Sequence, residues 1–225
     1  MARLKEHKLW QACTDSDLEV VKELARDPSV NVNWVGQDRG DTPLHRACRF
    51  GHLEIVRVLL AQEEIAVNKG NQGNASPFFI ACQEGHKEVV SLLLADPRVD
   101  PNGTAEDGST PFLMTCDDQK EVVSLLLADP RLDPNRPTDN QTTPLWFASQ
   151  NGHIVAVQQL LASGREIDTR LRSTFNNRTA AEQGRAMGRL TTKKMMKRRM
   201  FSREGKSMAP SVPTSSMNTS MIQWQ

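Results

Sequence analysis

Apolar residues recur along this chain in short helical stripes, and the stripes return at a fixed interval. In Leu53–Leu60 the residues Leu53, Ile55, Val56, Val58, Leu59 and Leu60 form a wide apolar face at helical spacing. The pattern comes back as KEVVSLLL at Lys87, again as KEVVSLLL at Lys120, and more thinly as IVAVQQLL at Ile154. Ahead of each stripe lies a second apolar stretch opened by a hydroxyl residue and proline: TPL at Thr42, SPF at Ser76, TPF at Thr110 and TPL at Thr143. The steps between these openings are 34, 34 and 33 residues. A hydroxyl that caps a helix, with proline at its first position, predicts a helix start. Gly51 and Gly152 predict its stop, and the Asp-Pro after LLLA ends the second helix. Each unit is therefore a helix pair. Alone it buries too little to hold together, so the units must stack.

These residues and this period resemble the ankyrin repeat family: the TPLH-x-A opening, the Gly-His link, and the AVN and DPN exits. The likeness runs from about Leu4 to Met200. It implies an all-α fold, an ankyrin-repeat solenoid of stacked helix-turn-helix units joined by β-hairpin-like loops, with a disordered C-terminal tail. The units expected are a degenerate N-terminal cap at 1–33, then repeats at 34–68, 69–102, 103–135 (one residue short) and 136–169. A degenerate basic C-terminal cap at 170–200 and a disordered tail at 201–225 complete the chain.

The units wear differently. Leu4–Asn33 lacks the Thr-Pro opening, as a terminal unit with one face to water is free to do. Gly40 and Asn74 occupy turn positions that need a positive φ. In the unit opening at Thr110 the Gly-His link is gone, so Asp117-Asp118-Gln119 must bridge the helices in a tighter turn. The resemblance implies that the histidine of TPLH bonds the threonine side chain and nearby backbone. Only Thr42 and His45 match; Trp10, Phe79, Leu113 and Trp146 fill the other slots, so the network is expected nowhere else.

Chemistry is scarce. Cys13, Cys48, Cys82 and Cys116 stand 35, 34 and 34 residues apart, one per unit. Equivalent positions in stacked units lie roughly 8–10 Å apart, beyond the ~7 Å that a disulfide spans. No CxxC pair offers a zinc site, so buried thiols are expected. No nucleophile motif, phosphate-binding glycine loop or metal pair occurs. A non-enzymatic protein without cofactor or metal follows. Its apolar runs fall far short of a membrane span of ~20 residues. With no signal-like opening, a cytoplasmic or nuclear location and a monomer are expected.

Binding should then lie on the loop tips and the exposed ends of the first helices, which in the family form the concave face. Carried over by position, these are Trp34, Asp38, Arg39, Asp41, Arg49 and Phe50; then Gln72, Gln83 and Glu84; then Glu106, Asp107, Asp117 and Asp118; and last Asp139, Asn140, Gln150 and Asn151. Interfaces favour aromatic and arginine anchors, which singles out Trp34, Arg49 and Phe50. The middle of the face is acidic and suits a protein partner with a basic segment.

Charge is also split along the chain. Residues 1–170 carry 17 Lys and Arg against 25 Asp and Glu, while residues 171–225 carry 11 against 2. The basic run Lys193, Lys194, Lys197, Arg198 and Arg199 has three readings: a solvated helix face, a nuclear-import or nucleic-acid patch, or a ligand for the acidic groove. The acidic body argues against nucleic acid as the main partner.

Overall fold

The computed structural model describes residues 2–116, 119–174 and 176–186. The described residues form eleven helices. They alternate between two layers. One layer holds α1 (Ala2–Asp15), α3 (Pro43–Phe50), α5 (Pro77–Glu84), α7 (Pro111–Thr115), α9 (Pro144–Asn151) and α11 (Ala180–Ala186). The other holds α2 (Leu18–Ala25), α4 (Leu53–Leu60), α6 (Lys87–Ala95), α8 (Lys120–Ala128) and α10 (Ile154–Ala162). From α1 to α10 each helix packs on its pair-mate, and all eleven pack on the equivalent helix of a neighbouring unit, which makes a solenoid. Among the described residues there is no strand, only an isolated bridge between Arg172 and Thr179.

The helix starts follow from the hydroxyl-proline openings. Thr42, Ser76, Thr110 and Thr143 each accept from the backbone N–H three residues on, with proline in the first turn. Thr179 does the same for Glu182, whose carboxylate returns a bond to the Thr179 amide and is held below the usual carboxylate range by it. Gly51, Gly85 and Gly152 close α3, α5 and α9 in the left-handed conformation, with φ of 71°, 77° and 80°. Gly40 and Asn74 take the positive φ that their turns require.

One buried cluster runs the length of the stack. It takes Val56, Val90, Val123 and Val157 from successive second helices, Cys13, Cys48 and Cys82 from first helices, and Cys116 from the end of α7. All four cysteines are free and buried. Burial disfavours the thiolate, pushing Cys13 and Cys116 up to about 12 and Cys48 and Cys82 higher still.

Three kinds of side chain stitch unit to unit. The asparagine at each exit donates to one carbonyl of the next unit and accepts from one of its amides. Asn33 thus bonds Glu64 O and Ala66 N, Asn68 bonds Arg98 O and Asp100 N, Asn102 bonds Arg131 O and Asp133 N, and Asn135 bonds Glu166 O and Asp168 N. Arg98 and Arg131 reach back to Leu60 O (2.8 Å) and Leu94 O (2.7 Å), carbonyls that a helix end leaves free. Asp96 and Asp129 hold these guanidinium groups, whose hydrogen bonds keep both carboxyls below their ordinary range.

The third stitch corrects the expectation about the TPLH histidine. His45 behaves as the resemblance implied. A carbonyl can only accept, so Nε2–H donates to Ala75 O (2.9 Å), and Nδ1 accepts from the Thr42 amide (3.1 Å) and hydroxyl (2.8 Å). The arm that reaches the next unit is not confined to histidine. Trp10 Nε1–H donates to Asp41 O (2.9 Å), and Trp146 Nε1–H to Arg178 O (3.0 Å). Indole is longer than imidazole but carries its N–H to an equivalent carbonyl, the one just before each capping threonine.

Candidate functional site

The loop tips between units form a ladder of their own. Gln72 N donates to Arg39 O (3.0 Å), Glu106 N to Gly73 O (2.8 Å), Asp139 N to Asp107 O (3.5 Å) and Thr174 N to Asn140 O (3.0 Å). Each tip is closed on itself as well, through Gly36 N to Asp41 O, Asn71 N to Ala75 O, Ala105 N to Ser109 O and Thr138 N to Thr142 O. The backbone groups in these bonds are thereby consumed. What they present outward is side chains, at a spacing set by the stack.

Many of the expected contact residues stand on this row or at the helix ends beside it. Asp38, Arg39, Gln72, Gln83, Glu84, Glu106, Asp107, Asp139, Asn140 and Asn151 are exposed. Gln150 is half-buried near the end of α9. Phe50, at the end of α3, is 44% exposed and stacks on His52 at 6.0 Å. Trp34 is half-buried and meets the His7 ring edge-on at 6.0 Å, so part of it serves the packing of α1. Asp117, Asp118 and the basic run Lys193–Arg199 lie outside the described residues.

Asp41 is a correction. Sequence position puts it at a loop tip, but it is 0% exposed and takes its bonds from inside. Its carboxylate accepts from Asn71 Nδ2 (2.9 Å) and from Arg49 Nη2 (3.2 Å), with Arg46 Nη1 at 3.8 Å. A buried carboxylate is costly unless paired and hydrogen-bonded, and here three neighbours supply the pairing. Arg49 spans outward from Asp41 to Glu84 (3.3 Å), so it too is half structural.

Arg46 is the residue that sequence reasoning missed. Its guanidinium lies 4.4 Å from the Trp10 ring and 5.1 Å from the Phe50 ring, with Nε donating to Thr14 (3.0 Å) and Nη1 3.8 Å from Asp38. Cation–π contact with two aromatic rings fixes the direction of Phe50. The i,i+4 spacing of Arg46 and Phe50 was a visible signal; Trp10, 36 residues upstream, was not.

The Gly-His links contribute a further bridge between units. His52 Nε2 lies 3.2 Å from Thr14 O and His86 Nε2 2.9 Å from Arg49 O. Where the link is lost, Gln119 Nε2–H donates to Gln83 O at 2.9 Å. The amide reproduces the imidazole's bond.

Among the described residues no group of His, Cys, Asp or Glu side chains has the arrangement of a metal site. Nor is any described helix long and apolar enough to cross a membrane. A depression in the tip row lies between Arg39, Arg49, Gln72 and Gln83, over a floor of Ala75 and Ile80.

A family model described as ankyrin repeats (3 copies) matches residues 9–105 and 97–171. The chain belongs to the ankyrin-repeat family. Solved structures agree. An ankyrin repeat protein is 25% identical with a TM-score of 0.76, over 84% of this chain and 96% of its own. An ankyrin repeat domain from Acinetobacter baumannii is 19% identical with a TM-score of 0.75, over 87% and 98%. A chain of the complex between a predatory endopeptidase from Bdellovibrio bacteriovorus and an immunity protein is 23% identical with a TM-score of 0.71, over 84% and 96%. A curated relative, the ankyrin repeat and KH domain-containing protein mask of Drosophila melanogaster, is 37% identical over 71 residues. That match covers 31% of this ankyrin-repeat chain but only 2% of the relative. Ankyrin repeats are a general protein–protein interaction module, and the fold is typically a scaffold without catalysis.

Proposed function

We propose that this ankyrin-repeat chain is a non-enzymatic scaffold that binds a protein partner on the face made by its loop tips and the ends of α3, α5 and α9. The observation that carries this reading is the tip ladder. Backbone bonds between Arg39 and Gln72, Gly73 and Glu106, Asp107 and Asp139, and Asn140 and Thr174 hold the loops before any partner arrives. Pre-ordered loops lose little freedom on binding, so more of the contact energy becomes affinity. Phe50 is the apolar anchor, oriented by Arg46, and the exposed carboxylates of Glu106, Asp107 and Asp139 set the charge of the middle. A monomer working in the cytoplasm or nucleus fits four buried thiols free of disulfides. The unit boundaries at 33, 68, 102, 135 and 169 belong to the same proposal.

The test compares two faces. Phe50→Ala together with Asp107→Lys should abolish capture of a partner, while Glu54→Lys with Glu88→Lys, on the second-helix layer, should leave capture intact. Far-UV circular dichroism should be unchanged for both. Loss of capture from the second-helix variant alone would move the site to the opposite face and overturn the proposal.

A further inference from the structure

We propose that the tip face takes an extended protein segment bearing one carboxylate side chain, seated between Arg39 and Arg49, and a basic side chain about six residues away along it. This rests on the groove reading above and specifies the partner's chemistry.

The cations at this end of the face are not equivalent. Arg46 sits against Asp38 and Asp41, and Arg49 against Asp41 and Glu84. Arg39 is exposed, and among the described residues its guanidinium meets no carboxylate. It borders the depression whose other wall is Arg49 and whose rim carries the amides of Gln72 and Gln83. The floor, Ala75 and Ile80, is apolar and buried at 7% and 3% exposure. Such a site suits a short aliphatic stem that ends in a single negative charge, because of the three guanidinium groups Arg39 alone touches no carboxylate among the described residues. A planar carboxylate also fits the fork of arginine.

Along the row the sign then reverses. The next tip (Gln72, Gly73, Asn74) is neutral, the one after it presents Glu106 and Asp107, and the following one Asp139. Stacked helices lie roughly 8–10 Å apart, so the Arg39 tip and the Glu106 tip are about 16–20 Å apart. An extended chain rises about 3.3 Å per residue, which sets the separation of the two charges at about six residues. A peptide with both charges of one sign would meet repulsion at one end.

A randomised display library of linear 12-residue peptides, selected against the full chain, tests this. The expected binders carry an acidic and a basic residue about six positions apart, in either chain direction. Selection against Arg39→Glu should replace the acidic position with Lys or Arg and keep the basic one. Selection against Glu106→Lys with Asp107→Lys should do the converse. A wild-type binder should lose at least about tenfold in affinity on Arg39→Glu, the size of a modest charge contact. Binders that respond to Phe50→Ala yet lack the acidic position, or keep it on Arg39→Glu, overturn this inference and leave the groove reading standing. Binders that ignore all these variants overturn both, and a library that yields no binder overturns the inference.

Discussion

The unit of α3 and α4 and the unit of α7 and α8 open with the same Thr-Pro but are held together by different chemistry. The first runs α3 for eight residues and closes it on Gly51 at φ 71°; the second runs α7 for five and closes it on Cys116 at φ −67°. Before the capping threonine stands Asp41 in one and Ser109 in the other. Asp41 is fully buried and gathers Arg46, Arg49 and Asn71, whereas Ser109 donates locally to Asp107. At the TPLH position His45 bonds across to the next unit, while Leu113 packs as an apolar side chain. Yet Gln119 restores the bond that a Gly-His link would have made. A stack requires that each unit-to-unit contact be filled. It does not require the same residue to fill it.

That contrast can be broken most strongly at Asp41. Removing its carboxylate takes away the buried partner that Arg49 and Arg46 share and leaves them only the more exposed Glu84 and Asp38, so Asp41→Ala should cost about 3 kcal/mol. Ser109→Ala, at the equivalent position, should cost less than about 1 kcal/mol; equilibrium urea unfolding of the two variants would measure the gap. Next comes Gly51→Ala. A left-handed backbone disfavours a side chain by roughly 1–2 kcal/mol, and a Cβ here would stand 2.6 Å from the His86 ring. We expect about 2 kcal/mol, with the loss spreading to α6 in hydrogen exchange because His86 bridges the two units.

His45 sharpens the comparison through pH. Burial lowers its pKa from the ordinary 6.5, so the folded chain refuses a proton that the unfolded chain accepts. Stability is therefore full above about pH 6.5 and is lost as pH falls towards the lowered value. His45→Phe, which borrows the residue found at Phe79, should cost about 1–2 kcal/mol at neutral pH. It should also flatten the dependence of the urea midpoint below about pH 6.5. The smallest effect is at Gln119. Gln119→Ala should cost about 0.5–1 kcal/mol, and Gln119→His should change stability by less than about 0.5 kcal/mol. A large loss on Gln119→His would mean that the short unit depends on the amide's shape, not on the bond it makes.

Much of the fold was legible because its rules are local. The Thr-Pro openings, the glycine stops at Gly51 and Gly152, and the apolar stripes obey helix geometry within ten residues. The candidate face was legible in part, since eleven of the expected residues do lie exposed on the tips and helix ends. Asp41 was misread because loop position is a poor guide to burial when Asn71 and Arg49 converge on the same carboxylate. Arg46 was passed over because its first aromatic partner, Trp10, belongs to another unit. The bonds of Trp10 and Trp146 were missed for the same reason: an indole N–H has no visible use until the next unit's carbonyl stands in front of it.

The sequence by itself determined the period, the helix starts and stops, the buried thiols and the family, because each depends on spacing along one chain. The tertiary structure alone decided which polar groups became internal. It turned Asp41 inward, aimed Phe50 through Arg46, and left Arg39 without a carboxylate partner among the described residues. Those outcomes depend on groups some 30 to 36 residues apart meeting at hydrogen-bond distance. Stacking brings such groups together, and the sequence pattern does not record which of them will touch.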